Sequence, residues 1–150
     1  IAQERSTILL SKVNILDNDS ISDFFDSVFQ KFGKINGIIN CVGVTGKRYN
    51  QIIEDTKLAD LEQQLQIREN GLIAIDFILD KYDYDFCIQF SSIASILGGL
   101  GQFGYAGACA FMDQYVRTRN SIKKSKWEVI NMDTWITADK YEKAHHLIPY

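Results

Sequence analysis

The run Phe86–Asp113, FCIQFSSIASILGGLGQFGYAGACAFMD, decides the fold. It opens on a short apolar strand, Phe86 to Phe90, and leaves that strand through the pair Ser91-Ser92. Half of the chain's ten glycines then fall between Gly98 and Gly107. Beyond the first of these glycines, Tyr105, Cys109, Met112 and Val116 follow at spacings of four, three and four, so they share one stripe of a helix running to about Asn120. Strand, glycine-rich loop and helix in that order make one βα unit.

The same alternation continues outward in both directions. Upstream, Gly37 to Val42 (GIINCV) is too brief for a helix and is bounded by Asn36 and Gly43. It reads as a strand covered on both faces, the habit of a parallel sheet. Before it, Ile21, Phe24, Phe25, Val28, Phe29 and Phe32 recur at helical spacing and stop at Gly33, with Ser20 and Asp23 in the relation of a capping box. Residues Thr7 to Ile15 (TILLSKVNI) read as a further strand, halted by the polar turn from Asp17 to Ser20. Between the strands, Thr56 to Leu79 holds Leu58, Leu61, Leu65, Leu72 and Ile75 roughly in helical phase, weakened by Gly71, and reads as a helix, either continuous or broken at that glycine. Downstream, Trp127 to Met132 (WEVINM) is a fourth strand.

The order β-α-β-α-β-α-β, without proline before Pro149, predicts an α/β fold: a doubly wound, Rossmann-like parallel sheet. Ligands of such sheets bind outside the carboxyl ends of the strands. Asn14-Ile15, Val42-Gly43, Ser91-Ser92 and Met132-Asp133 are therefore expected along one rim.

Composition narrows the function. A chain of 150 residues is about one domain's worth, and 46% hydrophobic with 23% charged residues is ordinary for a globular protein, which excludes disordered, collagen-like and membrane classes. The apolar stretch Gly71 to Leu79 is interrupted by Asp76, far short of the ~20 residues a membrane span requires. Sixteen basic against nineteen acidic side chains give a net charge of −3, the wrong sign for a nucleic-acid partner. Cys41, Cys87 and Cys109 are odd in number, far apart and without a C-x-x-C, and the only histidines are His145 and His146. This argues against a metal site or a disulfide framework and fits a reducing, cytoplasmic compartment.

A serine leaving a strand and a tyrosine on the first turns of the next helix can hold two hydroxyls over one carbonyl. Ser92 would donate a hydrogen bond to the substrate oxygen, and Tyr105 would protonate that oxygen as hydride reaches the carbon. A phenol is a weak acid near neutrality, so such chemistry needs a cation close by. By itself, a serine and a tyrosine thirteen residues apart are more often a strand-end turn and a core aromatic.

The run FSSIASILGGLGQFGYAGACAFMD resembles the pattern F-S-S-x-x-S-x-x-G-G-x-G-x-x-x-Y-x-x-x-N-x-x-x-D of the ketoreductase domains of modular polyketide synthases and hybrid polyketide–nonribosomal peptide synthases, a branch of the short-chain dehydrogenase/reductase superfamily. GKINGIINCVGVTG is similar to the G-x-I-x-G-V-I-H-A-A-G-V segment of that family, LEQQLQIRENGL to its L-E-x-x-L-x-P-K-V-x-G-L helix, and WEVINMDTW to its S-V-N-W-D-x-W strand. The similarity runs in order from about Val13 to Trp135. It implies that Ser92 and Tyr105 are the catalytic hydroxyls, that Asn14-Ile15 stand where the family reads the adenine, and that Asn40, Cys41, Val42 and Gly43 form the turn behind the cofactor ribose. For Gly43 the plain alternative is a tight bend after a strand. The implied reaction is NADPH-dependent reduction of a β-ketoacyl thioester, carried on the phosphopantetheine arm of an acyl carrier protein domain among neighbouring synthase domains.

Two family positions are altered. The active-site lysine is replaced by Arg68, which keeps the positive charge but cannot readily pass a proton, and the asparagine four residues after the tyrosine is Cys109, a weak thiol donor. A solvated surface charge and a small core residue are the bland alternatives for this pair. Neither of the family's stereochemical fingerprints is present: no Leu-Asp-Asp follows the Gly43-Val44 turn, and position 97 is leucine rather than tryptophan. No G-x-x-x-G-x-G phosphate loop is visible either, so residues 1–137 are expected to be the carboxyl-terminal portion of a reductase domain whose first βαβ unit lies upstream. Residues 138–150, with the His pair and the proline, are expected to be a linker or lid. Two other readings stay open: a catalytically impaired reductase fold kept as a structural module, and a free-standing short-chain dehydrogenase or epimerase, against which Cys109 stands where those enzymes have lysine.

Overall fold

The computed structural model describes residues 7–44, 46–123 and 127–133. The expected tail at 138–150 lies outside the described residues. Helix α1 spans Asn18–Phe32 and strand β1 Gly37–Asn40. Two short 3₁₀ turns, Lys47–Tyr49 and Ile53–Asp55, lead into helix α2, Leu58–Leu79. Strand β2 (Phe86–Ser92), the one-turn helix α3 (Ala94–Leu97), helix α4 (Phe103–Lys123) and strand β3 (Trp127–Met132) complete the order. The three strands form one parallel sheet in sequence order, β1-β2-β3, with Gly37 opposite Phe86 and Cys87 opposite Trp127. This is a Rossmann-like α/β fold, and its parallel pairing places Asn40, Ser92 and Met132 at one rim.

Helices α1, α2 and α4 pack side by side. The core gathers Ile21 and Phe25 of α1, Leu72, Ile75, Ile78 and Leu79 of α2, Met112 and Val116 of α4, and the sheet residues Cys87 and Trp127. Alternation along β2 turns Cys87, Gln89 and Ser91 towards this layer and leaves Phe86 exposed. At the far end of α2 and α4 the core carries a paired charge cluster. Arg119 Nε bonds Asp76 Oδ1 at 2.6 Å, the Tyr115 hydroxyl donates to Asp76 Oδ2 at 2.6 Å, and the Arg119 guanidinium lies 4.2 Å from the Trp127 ring centre. Burial pushes the Asp76 carboxyl up, but the hydrogen bonds from Tyr115 and Arg119 and the nearby positive charges outweigh it and hold the group below its ordinary value.

Three expectations are corrected and one open alternative, the continuity of the helix at Gly71, is settled. Residues 7–14 form no strand, because an extended segment joins a sheet only through a neighbour, and among the described residues no strand lies beside it. The cap of α1 is Asp17 rather than Ser20: Asp17 Oδ1 accepts from the amides of Asp19 and Ser20 at 3.0 and 3.2 Å, while Ser20 Oγ reaches back to the Asn14 amide at 3.1 Å. Helix α2 runs unbroken through Gly71, where the side chain of Ile15 packs against the helix backbone. Finally, among the described residues β1 lies at the sheet edge, with Ile39 59% exposed rather than covered on both faces.

Candidate active site

The carboxyl end of β2 builds the site. Ser92 is the last residue of that strand, and its Oγ accepts from the Ala94 amide at 3.2 Å as the chain turns into α3. A hydroxyl that accepts in this way still has its proton to donate. Tyr105 stands in the first turn of α4, half-buried. Arg68 reaches in from the middle of α2, and its guanidinium carbon lies 4.8 Å from the centre of the Tyr105 ring. Ser92, Tyr105 and Arg68 line one cleft of about 840 Å³, with Cys41, Gln64, Ser91, Gln102 and Asp133 also on its walls. A second groove of about 770 Å³, between Phe29, Lys34, Lys81 and Tyr82, lies at the amino ends of β1 and β2 and gathers none of the candidate site residues.

A hydrogen-bonded bracket holds the strand end. Asn131 of β3, which pairs in register with Ser91, donates through Nδ2 to Asp113 Oδ2 at 2.7 Å and to the Ser92 carbonyl at 3.2 Å. The Ser95 hydroxyl donates to the same Asp113 oxygen at 2.6 Å, tying α3 to α4. Sequence reading assigned no role to Asn131, Asp113 or Ser95. A partial signal was present: Tyr105, Cys109 and Asp113 recur every four residues, so Asp113 belongs to the stripe that carries the tyrosine.

Cys109 sits one turn below Tyr105 and is fully buried beneath the cleft rather than on its wall. Burial pushes its thiol up, only partly offset by the charge of Arg68 and by hydrogen bonding with Ser91 and Tyr105, so it stays protonated at neutral pH. Arg68 is not a surface charge. It is 8% exposed, and its guanidinium occupies the space over Gly43, where a Cβ would lie 2.3 Å from Nη2. Glycine at position 43 is what lets the arginine lie there. Asn40 is buried, donating to Gln89 Oε1 at 2.7 Å and accepting from the Val42 amide at 3.0 Å, which fixes the turn after β1. Cys41 reaches the cleft, whereas Val42 and Gly43 are not among its lining residues. The structure does not bring Asn14 and Ile15 to this cleft: Asn14 Oδ1 accepts from the Leu16 amide at 3.1 Å, and Ile15 packs on Gly71.

The family model described as KR domain matches residues 1–137. The chain belongs to the KR domain family. Among curated relatives it is similar to polyketide synthase PksM of Bacillus subtilis (strain 168), 30% identical over 127 residues, which cover 85% of this chain and 3% of that protein. Polyketide synthase PksN of the same organism is 32% identical over 111 residues, covering 74% of this chain and 2% of the relative. Among solved structures, a ketoreductase domain from the bacillaene assembly line superposes with a TM-score of 0.76 at 24% identity, covering 91% of this chain and 35% of that one. The likeness extends the Rossmann-like fold read above. This KR-domain chain thus spans a few per cent of these multidomain relatives and about a third of the solved domain. No helix among the described residues is long and apolar enough to cross a membrane.

Proposed function

We propose that this chain carries the catalytic cleft of a ketoreductase that reduces a β-ketoacyl thioester to the β-hydroxyacyl form within a polyketide or hybrid synthase. The substrate would be presented on the phosphopantetheine arm of an acyl carrier protein domain, with neighbouring synthase domains on the same polypeptide. The observation that supports this most directly is the meeting of Ser92, Tyr105 and Arg68 on one cleft at the carboxyl ends of a parallel sheet.

The residues divide the work by their chemistry. Ser92 donates a hydrogen bond to the ketone oxygen and so favours negative charge there. NADPH, when bound, supplies the hydride. As the carbonyl carbon gains that hydride, the π electron pair moves to oxygen, and the Tyr105 hydroxyl delivers the proton that completes the alcohol. The negative charge left on Tyr105 sits beside the Arg68 guanidinium, which stabilises it without exchanging a proton. The bracket of Asn131, Asp113 and Ser95 keeps the Ser92 end of β2 in place.

The cleft fits the redox end of a nicotinamide cofactor: it is roomy, walled by the neutral polar Gln64, Gln102 and Asn50, and holds the buried Arg68 Nε, which has no hydrogen-bond partner. The turn Asn40 to Gly43 would back the ribose, and Asn14-Ile15 would face the adenine. The described residues do not fit the pyrophosphate. Helix α1 opens on the carboxylates of Asp17 and Asp19, which oppose an anion, and no G-x-x-x-G-x-G turn is found in the sequence.

A second reading, a reductase fold kept as a brace, draws on the buried, protonated Cys109 where a relay amide would be expected. NADPH consumption by the parent polypeptide with a β-ketoacyl thioester separates the two. The reductase reading expects turnover in the wild type and a loss of about 10²- to 10⁴-fold in Tyr105→Phe, and equal rates in the two proteins would leave the brace.

A further inference from the structure

We infer that Arg68 is a receptor for an oxyanion, a carboxylate or phosphate group on the ligand that enters the cleft. The inference rests on reading this cleft as the ligand site, not on the reduction itself. Arg68 is more than nine-tenths buried, yet among the described residues it makes no ion pair. Among the described residues its one hydrogen-bond acceptor is the Met112 thioether, 4.0 Å from Nη1, at the limit of a hydrogen bond to sulfur. Its Nε is enclosed without any partner. Its other neighbours are the Tyr105 ring face and the backbone at Gly43.

A guanidinium presents five N–H donors, and enclosing even one of them, here Nε, without an acceptor is costly. The fold keeps that cost at a position that lines an 840 Å³ cleft, with glycine at 43 making room. Among the described residues the other enclosed cationic group, Arg119, meets Asp76 at 2.6 Å and leaves Nη1 alone without a partner, so the sequence supplies a carboxylate where pairing is structural. At Arg68 no carboxylate among the described residues bonds the group, and the cleft it shares with Asp133 is where a ligand would supply the acceptor. The planar donor fork matches a carboxylate or phosphate edge, whereas a neutral ketone oxygen offers lone pairs but no charge.

The test uses the full 150-residue chain labelled with ¹⁵N, following the Nε–H resonance of Arg68 during titration at constant ionic strength with acetate, with inorganic phosphate and with neutral acetamide. A saturable shift is expected with at least one oxyanion and none with acetamide. Arg68→Met should weaken that binding by about tenfold or more, followed through the amide resonances of Ser92 and Tyr105, while Arg68→Lys keeps part of it. Tighter acetate binding assigns the anion to an acidic acyl group, and tighter phosphate binding to a phosphate-bearing arm or nucleotide. Without ligand, Arg68→Met should melt no lower than the wild type, since it removes a charge that nothing pairs. A chain that binds neither oxyanion saturably, or an Arg68→Met protein that binds them equally well or melts lower, overturns the inference. Such a failure alongside retained ketone reduction by the parent polypeptide leaves the reductase reading standing.

Discussion

Arg68 and Asp76 stand two turns apart on α2, both buried and both charged, in opposite circumstances. Asp76 is surrounded: Tyr115 and Arg119 bond it at 2.6 Å each, and Lys123 approaches to 3.4 Å. Arg68 has an aromatic face, a thioether and a cleft. The end of the helix that joins α4 to the core spends its polar groups on each other, and the end that faces the rim leaves them available. One helix thus carries both a structural fastening and a functional group, and the state of pairing tells them apart.

Breaking the paired end should have the largest effect on stability. Asp76→Ala strands Arg119 in the core and is expected to cost about 3–5 kcal/mol, read from urea unfolding of the chain. A cost below about 1 kcal/mol would place this cluster with surface pairs and dissolve the contrast. Acid attacks the same site more gradually. Because the folded Asp76 carboxyl titrates below its unfolded value, its contribution is present above about pH 4 and is lost as pH falls through the folded value. Unfolding free energy should therefore fall below about pH 4, and Asp76→Asn should flatten that limb of the profile; an unchanged slope would contradict the assignment.

At the open end the expected effects are smaller. The isolated chain should bind NADPH poorly, since Asp17 and Asp19 head α1 and no phosphate loop is visible, and tight binding in calorimetric titration would refute this. Smallest is the gain from restoring the family pair. Arg68→Lys with Cys109→Asn should raise ketone reduction in the parent polypeptide by a few-fold at most, because the field at Tyr105 is already present and only proton resupply improves. No gain in turnover would count against the relay argument.

Much of this arrangement was legible in the sequence. Strand β3 runs over the six residues that its β-branched and aromatic content marked, and Ser91-Ser92 end β2 as the break in its apolar run implied. Local pattern fails where the outcome depends on neighbours. Thr7 to Ile15 has strand-like residues but no adjacent strand, and Gly71 is neutralised as a breaker by Ile15 packing on it. Asp17, read only as part of a polar turn, caps α1 in place of Ser20 because its carboxylate reaches two amides. In the site, Ser92 and Tyr105 were singled out by the family resemblance of the run around them, since their spacing alone is not distinctive, and the structure sets both on one cleft. Asn131 was not: its bond to Asp113 exists only through the register that sets it opposite Ser91. The burial of Arg68 was equally hidden, since nothing in the sequence says that Gly43 clears its place.

The central claim is that Ser92 and Tyr105 act together on one ketone. Its most direct test is mass spectrometry of a β-ketoacyl thioester incubated with NADPH and the parent polypeptide, as wild type, Ser92→Ala and Tyr105→Phe. The account predicts a product heavier by two hydrogens with the wild type and almost none with either variant. Equal product from all three proteins would contradict it.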